Sequence, residues 1–161
     1  MSLKIGDKAP DFKLFSFTPS KDPVEFTLSS YLGKKNVLLL FFPQAFTGGC
    51  TTEMCTVSEK FGSFGNDDTE VLGISVDGTF VQKAFAKENN IRYPLLSDFN
   101  KETIKKYDVV QENFVHGMKE VSKRAVFLVD KNGVIKYIEI TENPGVQVNF
   151  DKIIEAVSGL K

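Results

Sequence analysis

Apolar runs and polar intervals alternate along the chain in two rhythms, and together they outline the architecture. Val37 to Phe42 is apolar without interruption, as in a strand buried on both faces, and Val71 to Val76 and Ala125 to Val129 are further strands. Between the first two, Thr51 to Phe64 reads as a helix, frayed by Gly62 and stopped near Gly65-Asn66. Phe80 to Glu88 is a second helix, with Asn89-Asn90 as its stop, and Leu95-Leu96 makes a short strand after Pro94. Upstream, Ala9 to Phe17 is extended, Pro19 and Pro23 break it, and Val24 to Leu28 is a short strand. Lys101 to Tyr107 allows a helical turn or two, and the polar stretch from Gln111 to Lys123 has no clear period. Asp130-Lys131-Asn132-Gly133 is the best hairpin signal in the chain, joining Ala125–Val129 to Val134–Ile140. Phe150, Ile153, Ile154 and Val157 recur at helical spacing and close the chain.

Helices between the middle strands require parallel crossovers, while the late hairpin is antiparallel. An α/β fold with a mixed central β-sheet and helices on both faces satisfies both demands. At 161 residues, without repeats or linkers, one domain spanning 1–161 is expected. Twenty basic and twenty-one acidic residues nearly cancel, so no long-range field argues for nucleic acid or an anionic membrane as partner. Fifteen Phe and no Trp point to a Phe-rich core.

The opening residues turn charged at Lys4 and Asp7, too soon for the apolar stretch of a secretory signal, and Val37–Phe42 is far short of a membrane span. A cytoplasmic protein is therefore expected. In that reducing compartment two cysteines point to redox or nucleophilic chemistry, or else to two inert core thiols.

The segment from Phe41 to Cys55 favours chemistry. Pro43 ends an apolar strand, Gly48-Gly49 makes a turn, and Cys50 follows where a helix should begin. Unpaired N–H groups and the positive end of the helix dipole favour a thiolate there. Thr47 is placed to cap that helix, its hydroxyl directed at the third backbone N–H and also near the sulfur. Glu53 shares the helix face of Cys50 and, taken alone, is expected to be a solvated carboxylate or a first-turn dipole partner. Cys55 follows Cys50 by five residues. In an intact helix that separates their Cα atoms by roughly 8.7 Å, whereas a disulfide needs less than about 7 Å. Any bond between them would have to be coupled to local unwinding.

The lone histidine, His116, lies in the polar stretch and is expected at the surface rather than beside Cys50 as in a Cys-His hydrolase. Spacing for a zinc site is missing, as are a Walker loop and a Gly-X-Gly-X-X-Gly run, so no metal or nucleotide cofactor is expected. Arg124 opens the strand of residues 125–129 and must turn its charge toward solvent, a carboxylate or an anion.

Pro43-X3-Thr47-X2-Cys50 resembles the Pro-X3-Thr/Ser-X2-Cys signature of the peroxiredoxins, the thiol peroxidases of the alkyl hydroperoxide reductase and thiol-specific antioxidant family. Gly6 to Phe12 is similar to the family's opening, Tyr93 to Asp98 to its middle strand, and Arg124 to Gly133 to its Arg-bearing strand and hairpin. The resemblance implies a thioredoxin-like fold in which Cys50 is the peroxidatic cysteine, Pro43 shields it, and Thr47 and Arg124 support it. It implies hydrogen peroxide or an organic hydroperoxide as substrate. Cys50 to Cys55 resembles the Q subgroup, the bacterioferritin comigratory proteins, which implies that Cys55 resolves the sulfenic acid as a disulfide reduced by a thioredoxin-like protein. Two departures stand against that subgroup: Ala45 to Gly49 replaces its usual Thr-Pro-Gly, and Ala125 stands where Ser or Thr is frequent. Two alternatives remain: a one-cysteine peroxidase recycled by an external thiol, and a non-enzymatic binding or chaperone module on the same fold. A homodimer is compatible with the family.

Overall fold

The computed structural model describes residues 2–18 and 21–160. In chain order its elements are β1 (Lys13–Thr18), β2 (Lys21–Thr27), β3 (Asn36–Phe41), α1 (Gly48–Glu59), α2 (Phe61–Phe64), β4 (Thr69–Ser75) and α3 (Thr79–Asn89). There follow β5 (Leu95–Ser97), α4 (Glu102–Lys106), β6 (Val110–Asn113), β7 (Lys119–Ser122), β8 (Ala125–Val129), β9 (Ile135–Ile140) and α5 (Phe150–Ser158). Seven strands form one sheet in the order β2-β1-β5-β4-β3-β8-β9. The pairs β3–β4 and β4–β5 are parallel, whereas β3–β8 and β8–β9 are antiparallel, which is the mixed sheet expected. No helix among the described residues is long and apolar enough to cross a membrane.

Alternation along the central strands sends neighbouring side chains to opposite faces. Leu38, Leu40, Val126 and Leu128 pack with Met54 and Val57 of α1, Phe64 of α2 and Ile153 and Val157 of α5. Val37, Leu39, Phe127 and Val129 face the other way, onto Ile104 of α4, Tyr107 and Phe12. Helices thus cover both faces, and all six positions of β3 are buried. The Phe-rich core is real: Phe41, Phe42, Phe64, Phe85 and Phe127 are fully buried.

Three segments depart from expectation. Pro23 does not break the chain but lies within β2, an edge strand, at a register shift in its pairing with β1, where a residue without an N–H is tolerated. Pro19 lies outside the described residues. The helix expected over 51–64 starts at Gly48 and divides at Lys60, whose backbone (φ −104°, ψ 32°) turns out of helical geometry. That division lets Phe61 stack on Tyr93 (centroids 6.2 Å apart) while Phe64 meets Phe150 of α5 edge-on at 6.2 Å. Finally, the polar stretch after Gln111 holds a separate two-stranded ribbon, β6–β7. Its turn is made by His116 and Gly117 with φ of 58° and 73°.

Candidate active site

The site forms where the C-terminal end of β3 meets the start of β8. Phe41 pairs with Ala125 in antiparallel register, so Arg124 emerges beside the chain as it leaves β3 for α1. Residues 42–47 are then held in place. Phe42 N–H donates to Ile74 O at 3.0 Å, Pro43 is buried, and Ala45 N–H donates to the Asp77 carboxylate at 2.7 Å. Burial raises the Asp77 carboxyl above its ordinary value, and its hydrogen bonds from the Ser75 hydroxyl and Ala45 oppose that rise. Phe46 adopts φ of 69°, and Thr47 is the residue from which α1 begins.

Thr47 occupies the capping position without capping by its side chain. Its hydroxyl donates to Gln44 O at 2.9 Å instead of accepting the third N–H of the helix, which corrects the expected capping bond. The extended backbone at Thr47 carries the chain away from Gln44 while leaving that carbonyl within reach, and the hydroxyl proton goes to it. The oxygen keeps its lone pairs available for an incoming hydroxyl.

Cys50 lies in the first turn of α1 and is wholly buried. It is not enclosed by hydrocarbon alone, because Arg124 Nη2 stands 3.5 Å from its Sγ. The same guanidinium donates from Nη1 to Glu53 Oε1 at 2.7 Å and from Nη2 and Nε to Pro144 O at 2.9 and 3.3 Å. Burial works against the Arg124 charge, but Glu53 and Cys50 outweigh it and hold its pKa above the ordinary arginine value. A Cβ at Gly49 would come within 2.9 Å of Arg124 Nη2, so a side chain there would displace the guanidinium.

Glu53 is the residue that sequence reasoning placed wrongly. It is not solvated: its exposure is 0% and its Oε2 has no hydrogen-bond partner. Burial pushes its carboxyl up to about 7, with Arg124 pulling downward and Glu139 adding to the rise. One signal was available, because α1 offers Glu53 no basic residue three or four positions away that would hold it at the surface. As an ion pair in the interior it orients the fork of Arg124 toward Cys50.

Cys55 lies five residues further along the same uninterrupted helix, partly exposed, with its Sγ 3.8 Å from Asn89 Oδ1. Burial first and the Glu59 charge second raise its thiol pKa. Both cysteines are free thiols. His116 sits in the exposed β6–β7 turn and is no part of this constellation.

A thioredoxin-like sheet that seats a buried cysteine in the first turn of a helix, against an arginine, defines a thiol-dependent redox enzyme. The AhpC/TSA family model matches residues 5–138, and the chain belongs to that family: it is a peroxiredoxin, a peroxidase of the thiol class. It is 33% identical over 168 residues to the chloroplastic 2-cysteine peroxiredoxin of Chattonella marina var. antiqua, covering 100% of this chain and 82% of that protein. With alkyl hydroperoxide reductase E of Mycobacterium tuberculosis it shares 37% identity over 145 residues, 89% of this chain and 88% of the relative. The crystal structure of peroxidoxin BcpB from Mycobacterium tuberculosis superposes with a TM-score of 0.81 at 28% identity, over 99% of each chain. The non-enzymatic binding or chaperone reading is thereby set aside.

Proposed function

We propose that this peroxiredoxin reduces hydrogen peroxide and organic hydroperoxides with Cys50 as the attacking thiolate, and that Cys55 then closes a disulfide with it. The observation that carries the reading is the contact of 3.5 Å between Arg124 Nη2 and Cys50 Sγ in a first helical turn. A fixed cation there stabilises the thiolate and remains in place to receive the negative charge that moves onto the departing oxygen.

In the first step the sulfur attacks one peroxide oxygen, the O–O bond breaks, and Cys50 becomes a sulfenic acid. The other oxygen leaves as hydroxide or alkoxide and takes up a proton to give water or an alcohol. Thr47, whose hydroxyl proton is engaged in the hydrogen bond to Gln44 O, accepts a hydrogen bond from the hydroxyl of the peroxide and orients it for in-line attack. Pro43, buried at the end of the strand, keeps bulk water from the sulfur.

In the second step the Cys55 thiol attacks the sulfenic sulfur, a disulfide forms and water leaves. Across an intact helix the sulfurs point about 140° apart, so the first turns of α1 must unwind. Gly48 and Gly49 ease that, being exposed and of low helix propensity. A thioredoxin-like dithiol in a cytoplasmic, reducing setting then returns both residues to the free thiols seen here. A homodimer fits the surface around the turn at residues 76–79, where Phe46, Phe80 and Phe99 are 50%, 77% and 66% exposed.

A second reading has its own support. Cys55 has a raised thiol pKa and lies against Asn89 on another side of α1, as an uninvolved cysteine would, leaving an external thiol to meet the sulfenic acid. Mass spectrometry after one equivalent of peroxide separates the two. An internal disulfide loses two hydrogens, whereas a persistent sulfenic acid gains one oxygen. Turnover of Cys55→Ser with thioredoxin at the wild-type rate would sink the disulfide cycle and leave the one-cysteine cycle in its place.

A further inference from the structure

We propose that residues 142–147 form a latch over Cys50 that selects by size what reaches its sulfur, and that Gln147 is the residue that fastens it. The inference rests on Cys50 being the reactive thiol. Because Cys50 is wholly buried, every reactant needs its surroundings to move, and a bulky one needs them to move further than hydrogen peroxide does.

The link between β9 and α5 is fastened to the two residues that flank the sulfur, Arg124 and Gly49. At one end Thr141 is anchored, its backbone N–H donating to Arg124 O at 3.1 Å and its hydroxyl to Asn143 O at 3.0 Å. At the other, Val148 is 4% exposed within the core and Asn149 caps α5 by accepting from Lys152 N–H at 3.0 Å. Between these anchors Glu142, Asn143, Gly145 and Val146 are exposed, so lifting the link uncovers little apolar surface. Two points hold it down. The Pro144 carbonyl accepts from Arg124 Nη2 and Nε, and Gln147 Nε2 donates to Gly49 O at 2.9 Å. A segment held by a few hydrogen bonds, with its ends pinned in the core, opens locally at a small fraction of the global unfolding free energy.

Both fastenings land on the machinery itself. Pro144 O occupies the nitrogen that faces Cys50 Sγ, and Gln147 holds the carbonyl of the residue before Cys50. Closed, the latch favours reactants about the size of hydrogen peroxide. Opened, it frees Nη2 and the first turn of α1 together, admitting bulkier hydroperoxides and the thiol of a reductant. Gln147 is the adjustable part, because its Oε1 is buried without a partner and its single bond through Nε2 sets the strength of closure.

The test uses the full chain with Cys55→Ser, which leaves Cys50 as the sole thiol, and adds Gln147→Ala or Gln147→Glu. The carboxylate of the second variant faces the Gly49 carbonyl without a proton to offer. Alkylation rates are measured with small iodoacetamide and bulky monobromobimane, and peroxide reaction rates with hydrogen peroxide and cumene hydroperoxide. The bulky-to-small ratio should rise about fivefold in Gln147→Ala, the factor by which loss of one ordinary hydrogen bond shifts an equilibrium, and further in Gln147→Glu. An unchanged ratio in both variants overturns the latch. So does an equal acceleration of both reagents, which would report a more reactive sulfur rather than a more open one. If neither peroxide reacts in any variant, the peroxidase role of Cys50 fails, while the alkylation ratio still decides the latch.

Discussion

Cys50 and Cys55 stand on one helix, five residues apart, and their surroundings are opposite. The first is wholly buried yet has a guanidinium at 3.5 Å, and the second is partly exposed with Asn89 Oδ1 beside its sulfur and a pKa raised by burial and Glu59. Burial and charge thus run in opposite directions at the two sulfurs. What separates the two is the charge delivered to one of them from a strand 74 positions away. Such an arrangement suits a division of labour, in which one sulfur is poised in the folded helix and the other becomes reactive when the helix opens.

The sharpest way to break the comparison is to remove the poised sulfur. Cys50→Ser should bring peroxide consumption down to the uncatalysed background, because a serine hydroxyl at this position has no means of ionising. Retained turnover in that variant would transfer the reaction to Cys55. Next in size is the cation. Arg124→Lys keeps a positive charge but loses the planar fork that reaches Glu53, Pro144 and Cys50 together, and the oxidation rate with hydrogen peroxide should fall by about 10²–10³. Stopped-flow measurement of that rate, unchanged in the lysine variant, would show that charge alone suffices. The third concerns Cys55. Since its thiol is raised, disulfide closure after one equivalent of peroxide should quicken with pH by about tenfold per unit while the thiol stays protonated. Acid quenching followed by mass analysis gives the rate, and a profile flat in pH would mean that unwinding of α1, not the thiolate fraction of Cys55, limits closure.

Much of this arrangement could be read along the chain, and the parts that could not share a cause. The buried run of β3, the turn before α1 and the position of Cys50 are local facts, written in neighbouring residues. Arg124 was legible as a charge at the start of a strand, and pairing of Phe41 with Ala125 brings it to the site. Glu53 was misplaced because its burial depends on that arginine, 71 residues away, and nothing within α1 announces the partner. Pro144 and Gln147 were missed altogether, since they act through a backbone carbonyl and one amide in an irregular link that has no period and no motif. The ribbon β6–β7 escaped for a different reason. It is short and only Val121 and Ser122 in it are buried, so its side chains carry too little alternation of apolar and polar for a buried face to be read.

The smallest effect tests why a carboxylate is buried beside the poised cysteine at all. In the unfolded chain Glu53 titrates near the usual 4.5, and in the folded protein near 7, so between those values the native state holds a proton that the unfolded state has lost. Stability then falls as pH rises through this window, by up to about 3 kcal/mol for a shift of that size. Glu53→Gln should abolish this slope, since its amide can still accept from Arg124 Nη1 but cannot ionise. Urea unfolding of both proteins at pH 5 and pH 7.5, under reducing conditions, measures it. At the higher pH the variant also lacks the anion that counters Arg124, so peroxide reactivity should drop there while the pH dependence of stability flattens. A variant that kept the wild-type slope would assign the titration to another carboxyl, the half-buried Asp77 or the buried Asp98, both of which burial also raises. Glu53 would then serve only to aim the guanidinium, and the contrast between the two cysteines would rest on Arg124 alone.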